Sequence, residues 1–296
     1  MIDFKKILVP VDFSEHSIFA AKKAISLAQI CNGTLYFLHV GETAEKSAES
    51  LCKFINKIHH NNTVRVKKFV AQGTPSTAIL SIAKKLSADT IVMGHRDLSG
   101  LKQLVQGSVA AKVLRESVCP VLVIKKKKQI EFTEYVLPQI RNIEDSFQAD
   151  KILVPLDFSA ASKQAFRYAT YLASYYNSTI YTLTVFDKKY KEVGDDRKKH
   201  TAVIVHRRKI RLWKEFPELL GSTPYRKSNS RVKRILLDGD PFSRIESVVQ
   251  KKEVDIIIMG TNGRSGLEHL LIGSVAEKVL RSVDCSVMTI RFNPPA

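Results

Sequence analysis

Cysteine is scarce and poorly placed for chemistry. Only Cys31, Cys52, Cys119 and Cys285 occur in 296 residues. None forms a CxxC pair and none has a histidine at zinc spacing, which excludes a disulfide scaffold or a zinc module. Such thiols read as small buried hydrophobes in a reducing compartment. Acidic residues are also few: 29 Asp and Glu against 47 Lys and Arg give a formal net charge of +18. That imbalance favours anionic partners such as nucleotides, nucleic acid or acidic membrane surfaces. No run approaches the roughly 18 apolar residues that a membrane span needs. The opening MIDFKKILVP meets a proline too soon for a signal peptide, so the cytoplasm is the expected location. The absence of a GxxxxGK(S/T) loop removes the P-loop route to phosphate binding. What is present, 44% hydrophobic and 26% charged residues, suits a globular chain. Its length matches two domains at roughly 150 residues each.

The chain repeats itself. KILVPVDFS at Lys6–Ser14 returns as KILVPLDFS at Lys151–Ser159, and IVMG at Ile91–Gly94 returns as IIMG at Ile257–Gly260. GSVAAKVLRESVCPVLVIK from Gly107 returns as GSVAEKVLRSVDCSVMTIR from Gly273. The offset grows from 145 to 166 residues, so the second half carries 21 extra residues between Val185 and Leu236. Each half alternates short β-branched runs with amphipathic patterns such as Ile18, Ala21, Ile25 and Ala28. Spacings of three and four make a helical stripe, and continuous apolar strands between such helices predict a parallel sheet covered on both faces. Residues 1–128 and 150–296 are the predicted domains, joined by 129–149. The joining region keeps Ile130, Phe132, Tyr135 and Phe147, and is therefore expected to pack rather than trail.

Ligands of doubly wound sheets bind beyond the carboxyl ends of the strands, where the winding reverses. The first strand of each half runs into an aspartate, Asp12 or Asp157. The fourth strand of the second half runs into MGTNGRSGLEHLLIGSV, Met259–Val275. Gly260 and Gly263 permit tight turns and close backbone approach. Gly273 and Ser274 open a helix whose free amides and dipole favour an anion, with Arg264 as a counter-charge. A plain turn and helix cap is the bland alternative for these glycines.

The spacing of Gly260, Gly263 and Gly273-Ser274 resembles the ATP-binding motif of universal stress proteins. VPxDFS and the terminal GSVAEKVLR blocks resemble the same family over nearly all of both halves. The resemblance implies an α/β chain of two tandem doubly wound domains, each a five-stranded parallel sheet in order 3-2-1-4-5 with helices on both faces. It also implies an adenine nucleotide, ATP with or without magnesium, across the ends of strands one and four. Pro155, Leu156, Asp157 and Val185 would meet the nucleoside, and Met259, Gly260, Gly263, Arg264, Gly273, Ser274 and Val275 the phosphates. The weaker set in the first half is Asp12, Val40, Gly94, Gly107 and Ser108, because Asp97 stands where the second half has Gly263. A carboxylate there repels phosphate, and a non-glycine residue at positive φ costs roughly 1–2 kcal/mol. Family members commonly pair through their last strands, which implies an intramolecular pseudo-dimer through Val121–Ile124 and Val287–Ile290, with a homodimer as a further option.

Residues 188–234 hold sixteen Lys and Arg against five acids, a net +11, together with Trp213. A solvated surface is the bland reading; an electrostatic footprint for RNA, DNA or anionic lipid is the functional one. The expected function is nucleotide-binding regulation in a stress response. The alternatives are a polyanion binder with vestigial nucleotide sites and a slow ATPase, the last disfavoured because neither loop shows a second carboxylate, lysine or positioned base. No catalytic residue and no metal ligand is assigned.

Overall fold

Each repeat begins with a strand whose interior is wholly apolar. Lys6–Pro10 forms β1 and Lys151–Pro155 forms β6, with Ile7, Leu8 and Val9, like Ile152, Leu153 and Val154, fully buried. Consecutive buried residues require cover on both faces, which crossover helices supply to a parallel sheet. The structure is a computed structural model that describes residues 2–59, 64–94, 109–125, 146–186, 215–221, 231–261 and 272–292. Two compact units emerge, Met1–Gln148 with Asp284–Ala296, and Ala149–Val283.

In the first unit β1 is followed by α1 (Glu15–Cys31), β2 (Thr34–Val40), α2 (Ala44–Ile58) and β3 (Arg65–Ala71). Then come α3 (Pro75–Leu86), β4 (Thr90–Gly94), α4 (Val109–Glu116) and β5 (Val121–Ile124). The strands lie in the order β3-β2-β1-β4-β5, all neighbours parallel, so the winding reverses between β1 and β4. The last strand of the chain, β10 (Ser286–Ile290), belongs to this unit and runs antiparallel to β5, with Val287 opposite Val123 and Met288 opposite Leu122. The end of the joining region packs here too: Phe147 is buried and its amide donates to Ser26 Oγ at 3.0 Å.

The second unit continues from β6 through α5 (Ala160–Tyr176), β7 (Thr179–Phe186) and β8 (Arg231–Asp238). It closes with α6 (Pro241–Lys252), β9 (Ile256–Gly260) and α7 (Ser274–Ser282). β6 pairs in parallel with β7 on one side and β9 on the other, the same reversal as in the first unit. Residues 215–221 are helical, with Phe216 and Leu219 buried. Phe216 packs 5.7 Å from the Phe166 ring and under the Arg234 guanidinium, 4.7 Å from its centroid, and Lys163 reaches Glu215 at 3.3 Å. This part of the basic insertion is therefore packed structure; residues 187–214 and 222–230, including Trp213, lie outside the described residues.

The helix ends are set by local chemistry. Ser14 and Ser159 cap α1 and α5 by accepting from the Ser17 and Ser162 amides, and Asn32 and Asn177 end those helices at φ 51° and 53°. Asparagine is among the few non-glycine residues that tolerate this left-handed conformation. Pro75 and Pro241 occupy first-turn positions, where no amide bond is lost. Asp240 caps α6, accepting from the Ser243 amide at 2.8 Å and hydroxyl at 2.9 Å, and these bonds hold its carboxyl below the ordinary range. Asp240→Ala should cost about 1 kcal/mol, read as a lower denaturation midpoint. Because the folded-state value is depressed, the contribution is present above the unfolded pKa and fades as pH falls through the folded one. The gap between wild type and variant should therefore narrow in acid and stay constant near neutrality.

Candidate functional site

At the carboxyl end of β6 the chain turns through Leu156, Asp157 and Phe158 into α5. Asp157 Oδ1 accepts from the Ser159 amide at 3.0 Å and the Ser159 hydroxyl at 2.6 Å. Phe158 adopts φ 64°, a conformation that costs a bulky residue roughly 1–2 kcal/mol. The first unit repeats the device: Asp12 Oδ1 takes the Ser14 amide at 3.0 Å and hydroxyl at 2.6 Å, and Phe13 has φ 63°. Burial opposes the charge on Asp12, but the hydrogen bonds around Ser14 and Ser17 outweigh it and lower the carboxyl's pKa. The aspartates are thus builders of the strand-to-helix turn, whatever else they touch.

Beside that turn lies a cleft of about 260 Å³. This is near the lower end of the range for small-molecule sites. Pro155, Leu156 and Asp157 form one wall, and Val185 of β7 stands next to them. Met259 and Gly260 form the facing wall, and Gly273, Ser274 and Val275 close the end. Every described residue of the second-half set expected from sequence therefore lines one space. Gly263 and Arg264 lie outside the described residues, as do Gly107 and Ser108 of the first half. Asp12, Val40 and Gly94 occupy the corresponding positions at the ends of β1, β2 and β4.

Gly260 has a packing reason as well as a place on the wall. A Cβ there would lie 2.7 Å from Ala161 Cβ and 2.9 Å from Ala161 C, so the bare backbone admits the first turn of α5. Gly273 is the N-cap of α7 at φ −68° and has no side chain to cap it; its amide donates to Thr261 O at 2.7 Å. The first-turn residues Ser274, Val275 and Ala276 line the cleft, leaving the positive end of the helix facing it without a capping side chain.

Sequence reasoning passed over Ser159, Ser162, Leu183, Pro241 and Thr261, which also line the cleft. Ser159 and Thr261 stood inside the quoted motifs, but attention to glycine and aspartate hid them. One contrast between the units was not legible at all. Thr184 donates to Leu156 O at 2.8 Å, whereas His39, at the matching position, places Nδ1 2.9 Å from Val11 O and stacks 4.3 Å from Phe13. The thiols are all free: Cys31 and Cys285 are buried, Cys52 and Cys119 half-buried, and burial pushes Cys31 up to about 12. No group of three or more metal-binding side chains, and no helix long and apolar enough to cross a membrane, occurs among the described residues.

The sequence profile described as the Universal stress protein family matches residues 3–53, 42–125 and 148–291. The chain belongs to this family. A universal stress protein of Methanocaldococcus jannaschii is 34% identical over 144 residues, covering 43% of this chain and 85% of the relative. A universal stress protein of Bacillus subtilis is 33% identical over 147 residues, covering 41% and 99%. Each relative spans less than half of this chain, in keeping with two universal stress protein repeats in tandem. The crystal structure of a universal stress protein from Archaeoglobus fulgidus superposes with a TM-score of 0.69 at 22% identity over 99% of both chains, which shows a shared fold. A protein of unknown function from Pseudomonas aeruginosa does so at 0.68 and 17% identity, over 97% of this chain and 92% of that one.

Proposed function

We propose that the cleft of the second unit binds an adenine nucleotide, and that this universal stress protein regulates a stress response through that binding. One observation carries the reading: the uncapped amino end of α7 meets the carboxyl ends of β6 and β9 at a single cleft. A helix amino end offers free amides and a positive dipole to phosphate, and strand ends at a winding reversal are where such sheets hold ligands. Asp157 and Val185 would face the nucleoside. Gly273 and Ser274 would face the phosphates of ATP, joined by Gly263 and Arg264 of the loop, with or without magnesium.

The two repeats differ in their expected affinity. Asp97 replaces Gly263 and sets a carboxylate against the phosphates in the first repeat. Full-length protein titrated calorimetrically with ATP should bind through the second unit. Asp157→Asn keeps an oxygen for Ser159 but removes the charge, and should weaken ATP about tenfold, the scale of one charge-assisted hydrogen bond. Asp12→Asn should leave the affinity where it was. No binding by the intact chain, or an equal loss from the two variants, would refute the assignment.

A further inference from the structure

One polar atom of the cleft wall has no partner in the folded chain. Thr261 follows the last residue of β9, lines the cleft and is 2% exposed, and its Oγ1 is buried without a hydrogen-bond partner among the described residues. Other buried hydroxyls of the site are satisfied locally: Thr184 donates to Leu156 O at 2.8 Å and Ser162 to Ser159 O at 3.2 Å. A buried donor left unmade costs free energy that a bound acceptor would return. The backbone of Thr261 has no freedom to swing this hydroxyl away, because its carbonyl accepts the Gly273 amide at 2.7 Å. That bond ties Thr261 to the N-cap of α7, beside the helix end where an anion is favoured.

We propose that the Thr261 hydroxyl donates a hydrogen bond to a phosphate oxygen of the bound nucleotide and is a specificity-determining contact of the second unit. The inference rests on the nucleotide reading of the cleft. A phosphate oxygen is the acceptor that suits the site: it brings lone pairs and charge, and it needs no donor in return from a wall where the helix amides also only donate. The matching residue of the first repeat is His95, which has no hydroxyl to offer. The difference adds to that between Gly263 and Asp97 in favouring the second repeat.

The test uses the full chain with Thr261→Val, nearly the same shape without the hydroxyl, and Thr261→Ser, which restores it. Calorimetric titration with ATP and with adenosine is paired with thermal melting in the absence of ligand. Thr261→Val should weaken ATP about tenfold and leave adenosine unchanged, while Thr261→Ser stays within about twofold of wild type. Its ligand-free melting temperature should hold or rise, since an unsatisfied buried hydroxyl has been removed. Unchanged ATP affinity in Thr261→Val overturns the proposal, and so does an equal loss for ATP and adenosine. A lowered melting temperature that Thr261→Ser does not restore shows a structural role and overturns it too. If wild type itself fails to bind ATP, the nucleotide reading falls and takes this contact with it. If wild type binds and Thr261→Val binds equally well, the contact alone is lost.

Discussion

Gly260→Val should destabilise the second unit by more than about 3 kcal/mol. The first carbon of the new side chain would sit 2.7 Å from Ala161 Cβ, 2.9 Å from Ala161 C and 3.0 Å from Ser162 N. Backbone atoms dominate that contact, so no rotamer change relieves it. The helix cannot retreat either, because its start is held by the Ser159 cap and by Asp157 on the preceding turn. Overpacking a well-filled core usually costs about 1–3 kcal/mol, and the two γ carbons of valine extend the clash toward the upper end and beyond. Gly94→Val should behave alike in the first unit, since a Cβ there would overlap the His16 carbonyl. Chemical denaturation of the full chain, followed by circular dichroism, reads both; a midpoint within error of wild type for Gly260→Val would show that α5 can move. Nucleotide binding should be lost with the fold, because the same turn presents Asp157 to the cleft.

Val287→Asp should be about as damaging, at roughly 4 kcal/mol. Val287 is 0% exposed and lies opposite Val123 in the β5–β10 pair, so a carboxylate there would be desolvated among apolar neighbours. Burial raises the pKa of such a group above its unfolded value. The damage would then be greatest above the folded-state pKa and would ease as pH falls below it. Denaturation midpoints at acid and neutral pH check both size and sign. A cost under about 1 kcal/mol at neutral pH would mean that the strand does not pack as described. Losing β10 would also bare the edge of β5, and edges of this apolar kind self-associate; the variant should elute as larger species in size-exclusion chromatography.

Much of the site was legible because the repeat did the work of an alignment. Asp12 with Asp157, and Gly94 with Gly260, announced themselves by recurring at the ends of apolar runs, and the described members of the second-half set do converge on one cleft. What Gly260 is for was less legible. Turn and ligand approach are the usual reasons for glycine, and only the contact with Ala161 reveals helix–strand packing. Ser159 and Thr261 escaped because hydroxyl residues are common everywhere. Their importance depends on what they bond, or fail to bond, across a distance that spacing does not encode.

The sequence by itself determined the duplication, the alternation of buried strands and amphipathic helices, and the parallel winding. These follow from periodicity and from short-range rules of capping and turn chemistry. Only the tertiary structure decided that Phe13 and Phe158 take a left-handed backbone, that β10 joins β5 in the first unit, and that one buried threonine hydroxyl is left without a partner. The physical reason is common to all three. Each is settled by atoms far apart along the chain, where packing around a turn, a sheet edge or a cleft overrides what any residue prefers alone.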